Sequence, residues 1–210
     1  MSWLMAKVYE RTCMAAEKAG LSDWRARLLS GLEGSVLEVG AGTGLNLIHY
    51  HKAVTRLVLS EPDRHMRSAL MRKRGAQLAK SMEVVDGSLD RLPMGDASFD
   101  AVVATLVLCS VTDRARALAE IHRVLRPGGQ YVFLEHVAAD PHQEPRRYKW
   151  QGRIEPFWKR AMDNCHLRRQ TDLYIREAGF DIERMERDSI PKAPPWVRPS
   201  VRGIARKPQG

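Results

Sequence analysis

The densest chemical signal in the chain is Glu38-Val39-Gly40-Ala41-Gly42-Thr43-Gly44, with Asn46 just beyond it. Glycine at alternate positions lets the backbone turn sharply and lets a ligand approach the main chain. The acidic residue ahead of them can anchor an amino group, directly or through water. Glu61-Pro62 closes a second apolar run, where a carboxylate can accept hydrogen bonds from both hydroxyls of a ribose. His136 ends the fifth such run; an imidazole there titrates near neutral pH and is the first candidate for a general base. Asp163 and Cys165 stand in a helical, aromatic-rich stretch further on and can face the same pocket.

These side chains need a frame, and the pattern supplies one. Residues 2–32 read as helical, with Leu4, Met5, Val8, Ala15 and Ala19 near one face, Gly20 as punctuation, and Ser22 or Asp23 as cap of the helix after it. Short apolar runs at 35–39, 56–60, 82–85, 99–106 and 130–136 predict buried strands. A helical pattern runs from Asp63 to about Lys80, and another covers 113–125, ending at Arg126-Pro127-Gly128-Gly129. Strands alternating with helices predict a parallel sheet. Residues 180–187 and 201–207 read as two strands joined by a proline-rich stretch, which favours antiparallel pairing.

Gly-x-Gly-x-Gly after an acidic residue is the form found in enzymes that use S-adenosylmethionine. Asp86-Gly87-Ser88-Leu89 leading to Ser98-Phe99-Asp100, and Leu125-Arg126-Pro127-Gly128-Gly129 before the fifth strand, resemble further marks of the class I methyltransferases. The resemblance implies a Rossmann-like α/β fold, a mostly parallel seven-stranded sheet with an antiparallel final strand and helices on both faces. It implies S-adenosyl-L-methionine as cofactor, with Ser88 or Asp86 reading the adenine edge beside Leu89, Thr105 and Leu106 among the cofactor contacts, and residues 106–110 with Glu135 and His136 beside the methyl group. Thr105-Leu106-Val107-Leu108-Cys109-Ser110-Val111, Phe133-Leu134-Glu135-His136-Val137, Asp163-Asn164-Cys165 and Trp196-Val197-Arg198-Pro199 more narrowly resemble the methyltransferase-like seven group of thiol S-methyltransferases. That likeness implies a small thiol acceptor. A phospholipid such as phosphatidylethanolamine, or a quinol, is the alternative acceptor, and a non-catalytic cofactor-binding scaffold is the alternative of a different class.

The expected organisation is a single domain over 1–210: a helical segment 1–32 as possible lid, a cofactor-binding core 33–139, and substrate-side helices with the terminal strand pair at 140–210. A formal charge of +9 invites an anionic partner. No nucleic-acid motif accompanies it, so the candidates are the substrate and an anionic membrane surface, touched peripherally by the basic residues 146–169. Trp150, Phe157, Trp158 and Trp196 are candidates for an apolar acceptor wall. No apolar run is long enough to span a bilayer and the start lacks a secretory pattern, which predicts a cytoplasmic chain. Cys13, Cys109 and Cys165 lie far apart and odd in number, which is neither a disulfide framework nor a zinc spacing, and no metal is expected.

Overall fold

The computed structural model describes residues 14–73 and 79–209. Seven strands form one sheet: β1 (Gly34–Val39), β2 (Val54–Ser60), β3 (Met82–Val85), β4 (Phe99–Thr105), β5 (Leu125–His136), β6 (Asp181–Ser189) and β7 (Pro199–Arg206). Their spatial order is β3-β2-β1-β4-β5-β7-β6. The first five pair in parallel, and β7 runs antiparallel to both neighbours. This is the expected Rossmann-like architecture, and its order reverses between β1 and β4. Ligands of open α/β sheets bind outside the carboxyl ends of the strands at such a reversal.

The central strands are apolar almost throughout because both faces are covered. Side chains alternate between the two sides: Leu37 and Val39 enter one core and Val36 the other. On the first side lie α3 (Arg114–Val124), through Ala117, Leu118 and Ile121, and α5 (Thr171–Glu177), through Ile175. On the second lie α1 (Ser22–Leu29), through Leu28 and Leu29, and α2 (Arg64–Arg72), through Leu70. Helix α2 is started by Asp63, whose carboxylate accepts from the His65 and Met66 amides; α3 is capped in the same way by Asp113. The remaining helix, α4 (Pro145–Ala161), comes after β5.

Several local expectations are corrected. Leu4, Met5 and Val8 lie outside the described residues. Ala15 and Ala19 are not part of the buried core, and the inward face carries Ala16, Glu17 and Leu21 instead. Ala15 and Ala19 stack on one face that points outward, and the helical path itself is broken just beyond them at Gly20, where φ is 122°. Ser22 and Asp23 cap nothing, because the helix resumes at once after Gly20 and Leu21, ahead of them, already has helical backbone angles. Helix α2 ends at Arg72, short of Lys80. Strand β5 begins at Leu125, ahead of Arg126-Pro127-Gly128-Gly129, and that tetrapeptide is absorbed as a bulge: Phe99 pairs with Leu125 and Ala101 with Gln130.

Candidate active site

A cavity of 820 Å³ opens at the carboxyl ends of β1, β2, β4 and β5. One end is the glycine loop. Gly40, Gly42 and Gly44 adopt φ of 61°, 57° and 81°, the left-handed region that glycine enters without steric cost. Their surroundings differ. A Cβ on Gly40 would lie 2.6 Å from Val107 Cγ2, and one on Gly44 would lie 2.6 Å from Leu70 Cδ1 and 2.8 Å from Leu47 Cδ1. A Cβ on Gly42 would meet nothing closer than 3.9 Å, so this glycine presents bare backbone to the cavity. The Gly42 amide donates to Glu61 Oε2 (2.8 Å), and the Asp63 amide to Oε1 (2.9 Å). Glu61 is buried, which raises its pKa, and each of its oxygens keeps a lone pair for a ligand.

Of the anticipated cofactor residues, Gly40, Gly42, Glu61, Pro62, Ser88, Leu89, Thr105 and Leu106 line this cavity. Glu38, Ala41, Thr43, Gly44 and Asn46 lie behind it as the loop's support. Both oxygens of Glu38 are engaged, one by Asn46 Nδ2 (2.9 Å) and one by the Tyr50 hydroxyl (2.8 Å). Burial pushes the Glu38 carboxyl up to about 7. Arg25 ties this knot to the N-terminal segment: Nη1 donates to Asn46 Oδ1 (2.8 Å) and Thr105 Oγ1 (3.0 Å), and Nε to Glu17 (3.0 Å). Arg25 and Tyr50 support the glycine loop, and the sequence does not single them out. A buried arginine in Trp24-Arg25-Ala26-Arg27 carries no local signal that separates it from its neighbour Arg27.

Asp86 turns outward to pair with Arg67 (2.8 Å), whereas Ser88, Leu89 and Asp90 reach the cavity. Of the two residues expected at the adenine edge, Ser88 lines the cavity and Asp86 does not.

At the other end stand Cys109, His136 and Cys165, all buried, with ligand-capable atoms within 4.8 Å of one another. They come from the loop after β4, the end of β5, and the turn after α4. His136 Nε2 lies 2.9 Å from Cys165 Sγ, which also accepts from Trp158 Nε1 (3.3 Å); His136 Nδ1 has no partner. The Cys109 thiol, then His136, stabilise a thiolate on Cys165 and bring its pKa down to about 4; the Cys109 thiol is correspondingly pushed well up. Burial works against a charged imidazole at His136, but the hydrogen bond and charge of Cys165 outweigh it and raise the pKa. The supporting frame is explicit. The Glu135 carboxylate accepts from the amides of Val107 and Leu108 (both 2.9 Å) and Cys109 (3.4 Å). Asn164 Nδ2 donates to Ser110 O (2.9 Å). Buried Arg169 donates to the Leu108 and Val111 carbonyls.

Asp163 and Cys165 lie beyond the end of α4, not in a helix; Asp163 and Asn164 take φ of 47° and 62°, which reverses the chain toward β4. Asp163 lines the cavity. Trp158 does too, and Trp196 packs on it edge-on at 5.9 Å. Trp150 and Phe157 are no part of that wall: they are 57% and 79% exposed on the outer side of α4. Arg169 leaves the expected basic surface for the interior. The remaining wall comes from Ile190, Ala193, Pro194 and Val197, between β6 and β7, and from Ala16 and Leu21. Their sequence pattern signals a loop and a helix, without indicating what they cover.

With this geometry in place, comparisons identify the relatives. A methyltransferase domain family matches residues 37–133. Two thiol S-methyltransferases of Homo sapiens are 35% identical over 82% of this chain and 70% of theirs, and 38% identical over 85% of this chain and 74% of theirs. Among solved structures, an S-adenosylmethionine-dependent methyltransferase of Thermotoga maritima superposes with a TM-score of 0.69 at 23% identity, covering 98% of this chain and 97% of that one. A geranyl diphosphate methyltransferase in complex with S-adenosylmethionine gives a TM-score of 0.70 at 14% identity, covering 90% and 85%.

Proposed function

The chain belongs to the class I S-adenosylmethionine-dependent methyltransferases, and from that premise we propose that its acceptor is the sulfur of a small thiol. The residues fit the cofactor. Gly42 offers open backbone, buried Glu61 has lone pairs free for ribose hydroxyls, and Met66, Leu89 and Leu106 supply apolar wall. Ser88 would meet the adenine edge, and Glu38 would act through Asn46 by fixing the loop. When bound, S-adenosylmethionine supplies a methyl group on a sulfonium, open to in-line displacement. The chain's part is then to align the acceptor, exclude water and keep the acceptor deprotonated.

The observation that carries the thiol reading is the cluster of Cys109, His136 and Cys165 at the far end of the cofactor cavity. A thiol becomes a competent nucleophile as thiolate, and its ordinary pKa near 8.5 requires only modest help. A site holding an imidazole beside sulfur, in a water-poor wall of Trp158, Ile190 and Val197, suits a thiol better than an alcohol or amine. The thiol S-methyltransferase relatives support the same reading. Asp163 at the rim is proposed to orient the acceptor, and Ala16 and Leu21 to cover the cavity as part of an N-terminal lid.

Labelled S-adenosylmethionine offered with sulfide, simple aliphatic thiols, phosphatidylethanolamine vesicles and a quinol tests this directly. Turnover confined to the thiols is the expected result; methylation of the lipid or quinol alone overturns the acceptor assignment. A second contact is supported by α4, whose outer side shows Trp150 and Phe157 among Arg146, Lys149, Arg153 and Arg160. This pattern suits peripheral attachment to an anionic surface. No helix of the described residues is long and apolar enough to cross a membrane.

A further inference from the structure

The groups in the cavity are sulfur, sulfur and imidazole nitrogen, and their arrangement asks what would satisfy them together. Two buried thiols and a buried histidine, whose Nε2 meets one of the sulfurs, form an uncommon polar set for so dry a place. Tetrahedral zinc, with bonds of about 2.3 Å to sulfur and about 2.0–2.1 Å to nitrogen, would hold such atoms roughly 3.5–3.8 Å apart. Here all three lie within 4.8 Å of one another, and His136 Nε2 and Cys165 Sγ at 2.9 Å need to open by only ~0.6 Å.

We propose that Cys109, His136 and Cys165 are the three protein ligands of a zinc ion whose fourth position faces the cofactor cavity. Three protein ligands with one open position is the arrangement of catalytic rather than structural zinc, and two cysteines with one histidine is a known ligand set for it. The ligands are held in advance from three directions. Cys109 is pinned through its amide by Glu135 and through its carbonyl by the His166 amide (2.8 Å); Cys165 is held by Trp158. Asn164 and Arg169 tie the two cysteine-bearing segments together. Two thiolates also neutralise the charge of one zinc ion before an acceptor enters. All three ligands line the cavity, so the fourth position is reachable by a small molecule.

The consequence for the acceptor rests on the thiol reading. An aliphatic thiol would enter the fourth position, its sulfur lone pair forming the bond to zinc while its S–H proton leaves to solvent. Nothing is oxidised or reduced. His136 then serves as ligand, and the metal takes over from it the task of lowering the thiol pKa. Sequence spacing conceals such a site, because 109, 136 and 165 match no zinc motif and meet only when β4, β5 and the turn after α4 converge.

The test uses the full chain, purified under reducing conditions without added chelator, with metal content measured directly and metal-stripped protein titrated with Co²⁺. About one zinc per chain is expected, together with a thiolate-to-cobalt charge-transfer band and intense tetrahedral visible bands. C165S and H136Q should each weaken zinc binding at least 100-fold in competition with a chromophoric chelator, with circular dichroism confirming the fold. Substoichiometric zinc and no cobalt bands in the unaltered chain overturn the site without reliance on any variant. Adding a simple aliphatic thiol should shift the cobalt bands; unchanged bands overturn the acceptor's coordination. The two readings fail separately. Undiminished thiol methylation by zinc-free protein removes the metal and leaves the thiol acceptor, whereas stoichiometric zinc without turnover of any thiol does the reverse.

Discussion

Substituting Gly42 and Gly44 separates what the glycine loop does for the fold from what it does for the cofactor. Both residues lie at positive φ, so alanine at either incurs a similar left-handed strain of about 1–2 kcal/mol. For G42A that is the whole expected cost to the fold, because its Cβ would meet no atom within 3.9 Å. In a chain of this size it corresponds to a fall in Tm of about 2–8 °C. G44A adds overpacking, since its Cβ would sit 2.6–2.8 Å from the buried side chains of Leu70 and Leu47. Such overpacking costs a further 1–3 kcal/mol or so. Cofactor affinity should rank the other way. The G42A methyl projects into space that the ligand must occupy to contact the backbone, and should weaken binding by about tenfold or more, a loss of roughly 1.4 kcal/mol. Thermal unfolding and calorimetric titration with S-adenosylhomocysteine give both numbers on the same samples. If G42A binds like the unaltered chain, the ligand does not lie against Gly42. If G42A unfolds as readily as G44A, the open space at Gly42 is not there.

Glu38 and Glu135 are both raised by burial to about 7. A carboxyl whose folded pKa exceeds its unfolded value of about 4.3 stabilises most below that value, and the contribution is lost as pH climbs to 7. E38Q removes one such group, so its Tm relative to the unaltered chain should rise between pH 5 and pH 8, by the equivalent of at most about 3 kcal/mol; a difference that stays flat or falls would refute the assignment. Glu135 holds three amides of the loop after β4. E135A should cost about 3 kcal/mol or more by denaturant unfolding, and E135Q, which keeps one acceptor oxygen, roughly 1.5 kcal/mol or less; equal losses would mean that the loop does not depend on those bonds. Sedimentation with anionic vesicles should fall at least several-fold for W150A combined with R153E, and no salt-sensitive binding by the unaltered chain would end the membrane reading.

The parts of this molecule legible in its sequence are those written locally. A strand buried on both faces must be an apolar run, and a backbone that turns sharply against a ligand must be glycine, so the strands and the loop at Gly40–Gly44 are visible without coordinates. Glu61 is legible because it ends a strand next to that loop. What fails to show is set by distance along the chain. An α-helical period puts Ala15 and Ala19 on one face, and the break at Gly20 is legible too, but nothing in the period says that this face points away from the core. Arg169 and Arg168 are chemically identical neighbours, yet one donates to carbonyls near Cys109 from the interior and the other lies exposed. The difference is made by where α4 stops and how Asp163 and Asn164 reverse the chain. The same reversal delivers Cys165 to His136. A cysteine in an aromatic-rich stretch reads as apolar filling, and it acquires chemistry only because a turn after one helix meets the ends of two strands far from it in sequence. The cofactor half of the cavity is thus encoded in contiguous segments that the fold merely presents, while the acceptor half exists only once the fold has formed. Acceptor specificity should accordingly track changes in the turn at 162–165 and the wall at 190–197, with the glycine loop and Glu61 left as they are.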